Sequence, residues 1–278
     1  MNVEESDTAW VNLHVLPEYR GRGIGSALAE AIEQQVRDDE PHVRKLVSYH
    51  GVQEAPGDRL PSPTGFGSVP QGNREVRFAL ARGWTFEQVE RVSRLEVPVA
   101  DLDARLSSAR AVTGGEYELH TWADRVPERW RADMADLITR MSTDAPSAGL
   151  EEPIDTWTVE RLVHEEERRL RESDRRMLTT VAEHRSTGRL VAFTDLSLPP
   201  QSHRAVDQWA TLVLREHRGH RLGMLVKLAN LAQLARVAPG HPSVITFNAE
   251  ENRPMLDANE AIGFVPIAAE AAWRKDIV

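Results

Sequence analysis

The chain has 278 residues, enough for one large or two modest domains. Its hydrophobic content of 41% supports a sizeable core, and 28% of its residues are charged. A formal net charge of -9 argues against nucleic-acid binding, which needs clustered Lys and Arg, and is compatible with a cationic substrate. The absence of cysteine excludes disulfides, thiolate nucleophiles and Cys-based metal sites. No apolar run is long enough to span a membrane, and the acidic start Met1-Asn2-Val3-Glu4-Glu5 lacks the apolar core of a signal peptide, so a cytoplasmic location is expected.

Thr8 to Val15 alternates apolar and polar residues and reads as a strand. It is followed by Pro17-Glu18-Tyr19-Arg20-Gly21-Arg22-Gly23-Ile24-Gly25-Ser26 and by a helix with Ile24, Leu28, Ala31, Ile32 and Val36 on one face. Next come an apolar strand, Leu46-Val47-Ser48-Tyr49, a short helix closing on Gly83-Trp84, and a strand leading away. Ala100 to Gly115 holds a short helical stretch and reads as a linker.

A strand is expected over Tyr117 to Trp122, then a helix carrying Trp130, Met134, Leu137, Ile138 and Met141, with Asp124 as its cap. A loop, Ser142 to Asp155, precedes a second helix with Val159, Leu162, Val163 and Leu170. Met177 to Ala182 and Leu190 to Leu196 read as a hairpin turning near Ser186-Thr187-Gly188.

From Ala205 the opening order returns, about 200 residues after its first appearance. A strand to Leu214 leads into Arg218-Gly219-His220-Arg221-Leu222-Gly223 and a mostly apolar helix. Lys227, Asn230, Gln233 and Arg236 lie three apart on that helix and read as one narrow solvent-facing stripe. The strand Val244-Ile245-Thr246-Phe247 and a helix closing on Gly263-Phe264 complete the match. The second copy is complete at its front, whereas the first begins only at the fourth strand of the pattern. The expected units are 1–98, a linker over 99–115, and 116–278.

A strand, a glycine-rich turn and a helix together make an anion site. The first helical turn has free N–H groups and a positive dipole end, and glycines let the backbone approach a phosphate closely. Arg20 and Arg22 add positive charge, so a pyrophosphate is the natural ligand.

The two loops, with Thr246 to Asn252 and Asn259 to Phe264, resemble the motifs of the GNAT acetyltransferase superfamily. The resemblance covers nearly the whole chain. It implies an α+β fold of two tandem GNAT-like units, each a mixed sheet splayed at its fourth strand and flanked by helices. Acetyl-CoA is the implied co-substrate, and a small-molecule amine the acceptor. The implied CoA ligands are Leu13, His14, Val15, Arg20, Gly21, Arg22, Gly23, Gly25 and Ser26 in the first copy. In the second copy they are Leu212, Val213, Leu214, Arg218, Gly219, His220, Arg221, Leu222, Gly223, Asn248 and Asn252.

Arg221 departs from the family pattern by standing where a glycine is expected; its side chain either meets the pyrophosphate or points outward. A tyrosine of the last helix often protonates the leaving thiolate in this family, but here that position holds Asn259 in copy two and Ala79 in copy one. Asparagine donates hydrogen bonds but is no acid at neutral pH. Glu151, Glu152, Asp144 and Asp155 lie in the loop that lines the family's acceptor site and are the candidate carboxylates, with solvated loop residues as the alternative. Asp195 and Asp207 are candidate bases or strand-end turn residues. The ten histidines show no metal spacing, so no metal is expected. No nucleic-acid or membrane partner is expected, and the sheet edge left by the missing front strands invites a homo-oligomer. The leading expectation is an N-acetyltransferase; the alternative is a non-catalytic CoA-binding scaffold.

Overall fold

The computed structural model describes residues 7–144, 148–150 and 155–277. The first copy contributes β1 (Thr8–Trp10), α1 (Ile24–Asp39), β2 (Lys45–Val52), β3 (Arg59–Pro61), β4 (Ser68–Pro70), α2 (Arg74–Ala81) and β5 (Thr85–Glu96). The helix α3 (Leu102–Thr113) follows. The second copy contributes β6 (Tyr117–Ala123), α4 (Arg131–Asp144), α5 (Val159–Glu172), β7 (Arg176–His184), β8 (Arg189–Leu198), β9 (Val206–Val213), α6 (Leu222–Val237), β10 (Ser243–Ala249), α7 (Arg253–Ile262) and β11 (Val265–Asp276).

Among the described residues, nine strands form one mixed sheet in the order β1-β2-β11-β5-β10-β9-β8-β7-β6. The two copies have exchanged their last strands. β5 runs antiparallel to β10, from Glu96 opposite Ser243 to Glu90 opposite Ala249. β11 runs antiparallel to β2, from Asp276 opposite Lys45 to Ala269 opposite Val52. The exchanged strands then pair with each other, so the sheet passes from one copy to the other without a gap. Trp273 of β11 is fully buried and packs with Val76, Ala79, Phe86 and Val89 of the first copy.

Both copies splay where two parallel strands part. β9 pairs with β10 only at Val206 and Asp207. β1 pairs with β2 over Thr8 to Trp10 and then turns away. The expected strand to Val15 thus ends early. The second copy's β9 keeps β8 as a partner along its far side, whereas among the described residues no strand flanks residues 11–15 there.

The helix ends follow from local chemistry. Asn73 caps α2 by accepting from the backbone N–H of Glu75 at 2.9 Å and of Val76 at 3.1 Å. Asp124 does not cap α4 as expected. It sits at φ 66° and holds Arg176 and the N–H of Met177 instead, because the chain makes a further turn before α4 begins at Arg131. The stretch expected as a linker contains α3, whose Leu102 and Leu106 pack on the main core. Arg105 donates to the carbonyls of Ala261 and Ile262 at the end of α7.

The expected solvent-facing stripe of α6 is buried at three of its four positions, and only Arg236 is exposed. Lys227, Asn230 and Gln233 are 2%, 0% and 6% exposed. Asn230 donates to the carbonyls of Leu178 and Thr194, and Gln233 to that of Trp122, so sheet carbonyls replace water as their partners. A three-residue spacing identifies a face of a helix but not what that face meets.

Candidate functional site

In the first copy the splay opens into a cleft of about 500 Å³. One wall is the extended segment 11–15, and the floor is β2 with Leu46, Ser48, Tyr49 and His50. The far wall is α2 with Glu75, Phe78 and Ala79, and Trp273 arrives from β11. The glycine loop closes the mouth. Gly21 and Gly23 sit at φ 74° and 79°, a left-handed backbone that favours glycine. Arg20 Nε donates to the carbonyl of Val15 at 2.7 Å, which fixes the loop to the end of the parted strand. Gly25 lies in the first turn of α1, and a Cβ there would stand 3.5 Å from the Phe78 ring. The helix N-terminus therefore faces the cleft with little bulk in front of it.

Of the cofactor ligands expected in this copy, Leu13, His14, Val15, Arg20, Gly21, Gly23, Gly25 and Ser26 all line the cleft. Arg22 does not, and its guanidinium lies 5.7 Å from the centre of the Tyr19 ring.

The second copy repeats the loop geometry with one change. Gly219 has φ 87° and Arg221 takes the left-handed position at φ 57°. Arg218 Nε again reaches the strand end, at the Val213 carbonyl, 3.2 Å away. Its other arm binds Asp144 at 2.8 Å, and Arg215 lies 3.5 Å from the same carboxylate. Asp144 thus anchors the loop arginine and stands at the end of α4. Arg221 lines a groove between α3 and α7. Leu222 is 1% exposed and Leu212 5%, both in the apolar core. Asn252 precedes α7 without a side-chain capping bond, and His220 lies beside the Tyr117 ring.

The splay of the second copy is bridged by side chains. Lys227 Nζ donates to Asn259 Oδ1 at 2.6 Å, and Asn259 Nδ2 donates to Asn248 Oδ1 at 2.8 Å. Lys227 comes four residues after the last loop glycine, the place of Ala29 in copy one. Asn259 comes four residues before the closing glycine, the place of Ala79. Ala29 and Ala79 both line the open cleft. The Lys227–Asn259 bond therefore crosses between α6 and α7 where two alanines leave space between α1 and α2. Burial lowers the Lys227 pKa to about 7.

Glu151 and Glu152 lie outside the described residues. The residues just before them belong to a turn, Ala148–Leu150, that lies against the first copy. Leu150 packs on Val47 and Ala272, and Arg274 of β11 donates to the Gly149 carbonyl at 2.7 Å. Asp155 is half-exposed and paired with Arg161. Asp207 is bound by Arg175. Asp195 is half-buried and accepts from Thr179, and desolvation raises its pKa to about 6.

Sequence spacing gave no metal site, yet Glu118, His120 and Glu183 bring their ligand atoms within 4.8 Å of one another. They meet across two paired strands, where no linear spacing reveals them. His120 is already bonded to Glu183 at 2.7 Å and Glu118 to Arg185 at 2.9 Å.

The cleft also holds side chains that the motif did not single out: His50, Glu75, Phe78 and Trp273. His50 follows the aromatic Tyr49 as Asn248 follows Phe247, so the repeat could have flagged it. Trp273 reaches the cleft only through the strand exchange.

Residues 2–55 match the profile of the Acetyltransferase (GNAT) family. Among solved structures, a tandem GNAT protein from the clavulanic acid biosynthesis pathway superposes with a TM-score of 0.72 at 27% identity, over 98% of this chain and 76% of that one. A GCN5-related N-acetyltransferase from Sphaerobacter thermophilus gives a TM-score of 0.59 at 13% identity, over 94% of this chain and 70% of that one. The glucosamine N-acetyltransferase region of a fungal multi-domain β-N-acetylglucosaminidase gives 0.57 at 15%, over 96% of this chain and 29% of that one. These last two show the fold alone. No curated protein matches by sequence. The fold is built from two splayed-sheet units, and the family match and the tandem neighbour support acyl transfer in general terms. Its N-terminal residues 2–55 match the GNAT family profile, and nearly the whole chain is similar to a tandem GNAT protein.

Proposed function

We propose that the protein transfers the acetyl group of acetyl-CoA to a primary amine of a small molecule, and that the cleft of the first copy holds the CoA. The observation that carries this is the open splay itself. A gap between two parted parallel strands leads from a glycine loop at a helix N-terminus into about 500 Å³ of largely apolar space. The loop and the α1 dipole suit a pyrophosphate, and the strand edge at 11–15 offers backbone groups to an amide-bearing arm.

In the proposed reaction the amine nitrogen attacks the thioester carbonyl carbon. A backbone N–H at the parted strand stabilises the developing oxyanion, and the thiolate departs. The turn at Ala148–Leu150 supports an acceptor site formed jointly by both copies, because it carries the second copy's front loop onto the first copy's sheet. The second copy supports the scaffold reading for itself: its splay is bridged by Lys227 and Asn259.

Isothermal titration of the full chain with acetyl-CoA tests this, followed by free-thiol release over a panel of primary amines. One acetyl-CoA per chain, with thiol release on at least one amine, is expected. Absence of binding overturns the proposal, and binding without turnover on any amine leaves a CoA-binding scaffold.

A further inference from the structure

The floor of the cleft holds a side chain able to carry a proton, and one of its nitrogens has no hydrogen-bond partner. His50 lies on the floor, on β2. Its Nε2 is shut off from solvent and has no hydrogen-bond partner. The ring stacks on Trp273, with centroids 5.6 Å apart and planes within 8°. A buried nitrogen without a partner is costly, and at a cleft floor a ligand is the explanation that the surroundings offer. With Nε2 enclosed, Nδ1 is the nitrogen left to meet one.

The second copy shows where this position looks. Asn248 stands at the matching place on β10, and its side chain is 2.8 Å from Asn259 of the last helix. In the first copy the residue matching Asn259 is Ala79, which also lines the cleft. His50 shares the cleft with Ala79, whose methyl group offers it no hydrogen bond of the kind Asn259 gives Asn248.

We propose that His50 is the proton carrier of the first-copy cleft. The inference rests on acetyl transfer taking place there. As the amine nitrogen bonds to the carbonyl carbon, the imidazole takes the amine proton. As the carbon–sulfur bond breaks, the imidazolium gives that proton to the departing thiolate sulfur. One N–C bond forms, one C–S bond breaks, and a single proton passes from nitrogen to sulfur through His50.

The surroundings suit a carrier that rests neutral. Burial holds the His50 pKa below its ordinary 6.5, and His14 lowers it further, while Glu75 pulls it upward. Arg20, Arg74 and Glu33 also line the cleft. Glu33 is tied to Lys275 at 2.6 Å and Arg74 to Glu75 at 2.7 Å. Trp273, stacked on the imidazole, adds no charge.

The test uses the full chain labelled with ¹⁵N-histidine, titrated in pH with and without saturating acetyl-CoA. The resonance missing from His50→Gln is expected to titrate below 6.5 and to move when acetyl-CoA is added. His50→Gln is expected to lower thiol release about 100-fold while leaving the dissociation constant for acetyl-CoA unchanged. It should also remove the acid limb of the rate profile, where protonation of the imidazole switches the carrier off. An imidazole that acetyl-CoA does not move, or a glutamine variant that keeps its rate and its acid limb, overturns the inference. If acetyl-CoA itself fails to bind, the proposed function falls with it. If it binds and His50 stays inert, only the role of His50 falls.

Discussion

The two copies share a loop, a helix and a splayed strand pair, yet only the first has a cleft there among the pockets described. The difference resides in two small residues. Ala29 and Ala79 leave room between α1 and α2, while Lys227 and Asn259 meet across the same interval in the second copy. The better loop thus goes with the open splay, and the altered loop with the bridged one. A motif can survive in a copy whose ligand space is gone, because loop and space are set by different residues.

Lys227 offers the largest lever on this comparison. Its folded pKa of about 7 lies below the 10.5 of an exposed lysine, so folding opposes its protonation. Above pH 10.5 the group is neutral in both states and imposes no penalty. The penalty grows as pH falls and is complete below about 7. At 1.36 kcal/mol per pH unit the ceiling is about 5 kcal/mol. Loss of the bond to Asn259 on substitution offsets about 1–3 kcal/mol of it. Lys227→Met is therefore expected to gain most over the unsubstituted protein below pH 7, with the difference fading toward pH 10.5. Denaturant melts across that window check it, and a constant difference would show that Lys227 is not held neutral.

A matched pair of substitutions comes next in size. Gly25 and Gly223 occupy the same place in the two loops. Gly25→Glu pushes a carboxylate toward Phe78 and the expected phosphate path, and should weaken acetyl-CoA binding at least 100-fold, about 2.8 kcal/mol. Gly223→Glu should leave affinity and stoichiometry as they were. Calorimetry on both variants decides. Equal losses would mean that the second copy binds too.

Much of this was legible in the sequence. The order of elements from Tyr117 to Asp276 follows the periodicity, and the expected loop residues of the first copy other than Arg22 line one cleft. The exchange of β5 and β11 was not legible. Both strands suit either position, and pairing between segments distant in the chain leaves no local mark. Lys227 was misplaced for a related reason. On α6 it belongs to a polar stripe, and only the tertiary structure shows that Lys227, Asn230 and Gln233 of this stripe face Asn259 and sheet carbonyls instead of water. The hairpin β3–β4, inserted before α2, also went unseen, because its strands have only three residues each.

The smallest expected effect separates the two candidate reasons for the second copy's closure. Arg221 is the visible flaw in its loop, and by sequence alone it is the obvious suspect. It holds a left-handed backbone at φ 57°, which costs a non-glycine residue about 1–2 kcal/mol. Glycine removes that strain but gives back about 0.5–1 kcal/mol in chain entropy. Arg221→Gly should therefore stabilise the fold by about 1 kcal/mol or less. It should not add a second acetyl-CoA to the titration, because Arg221 lines the groove at α3 while Lys227 and Asn259 bridge the splay. A second binding event in Arg221→Gly would put the block in the loop after all. Its absence, with a second event appearing in Lys227→Ala, would put the block between the helices.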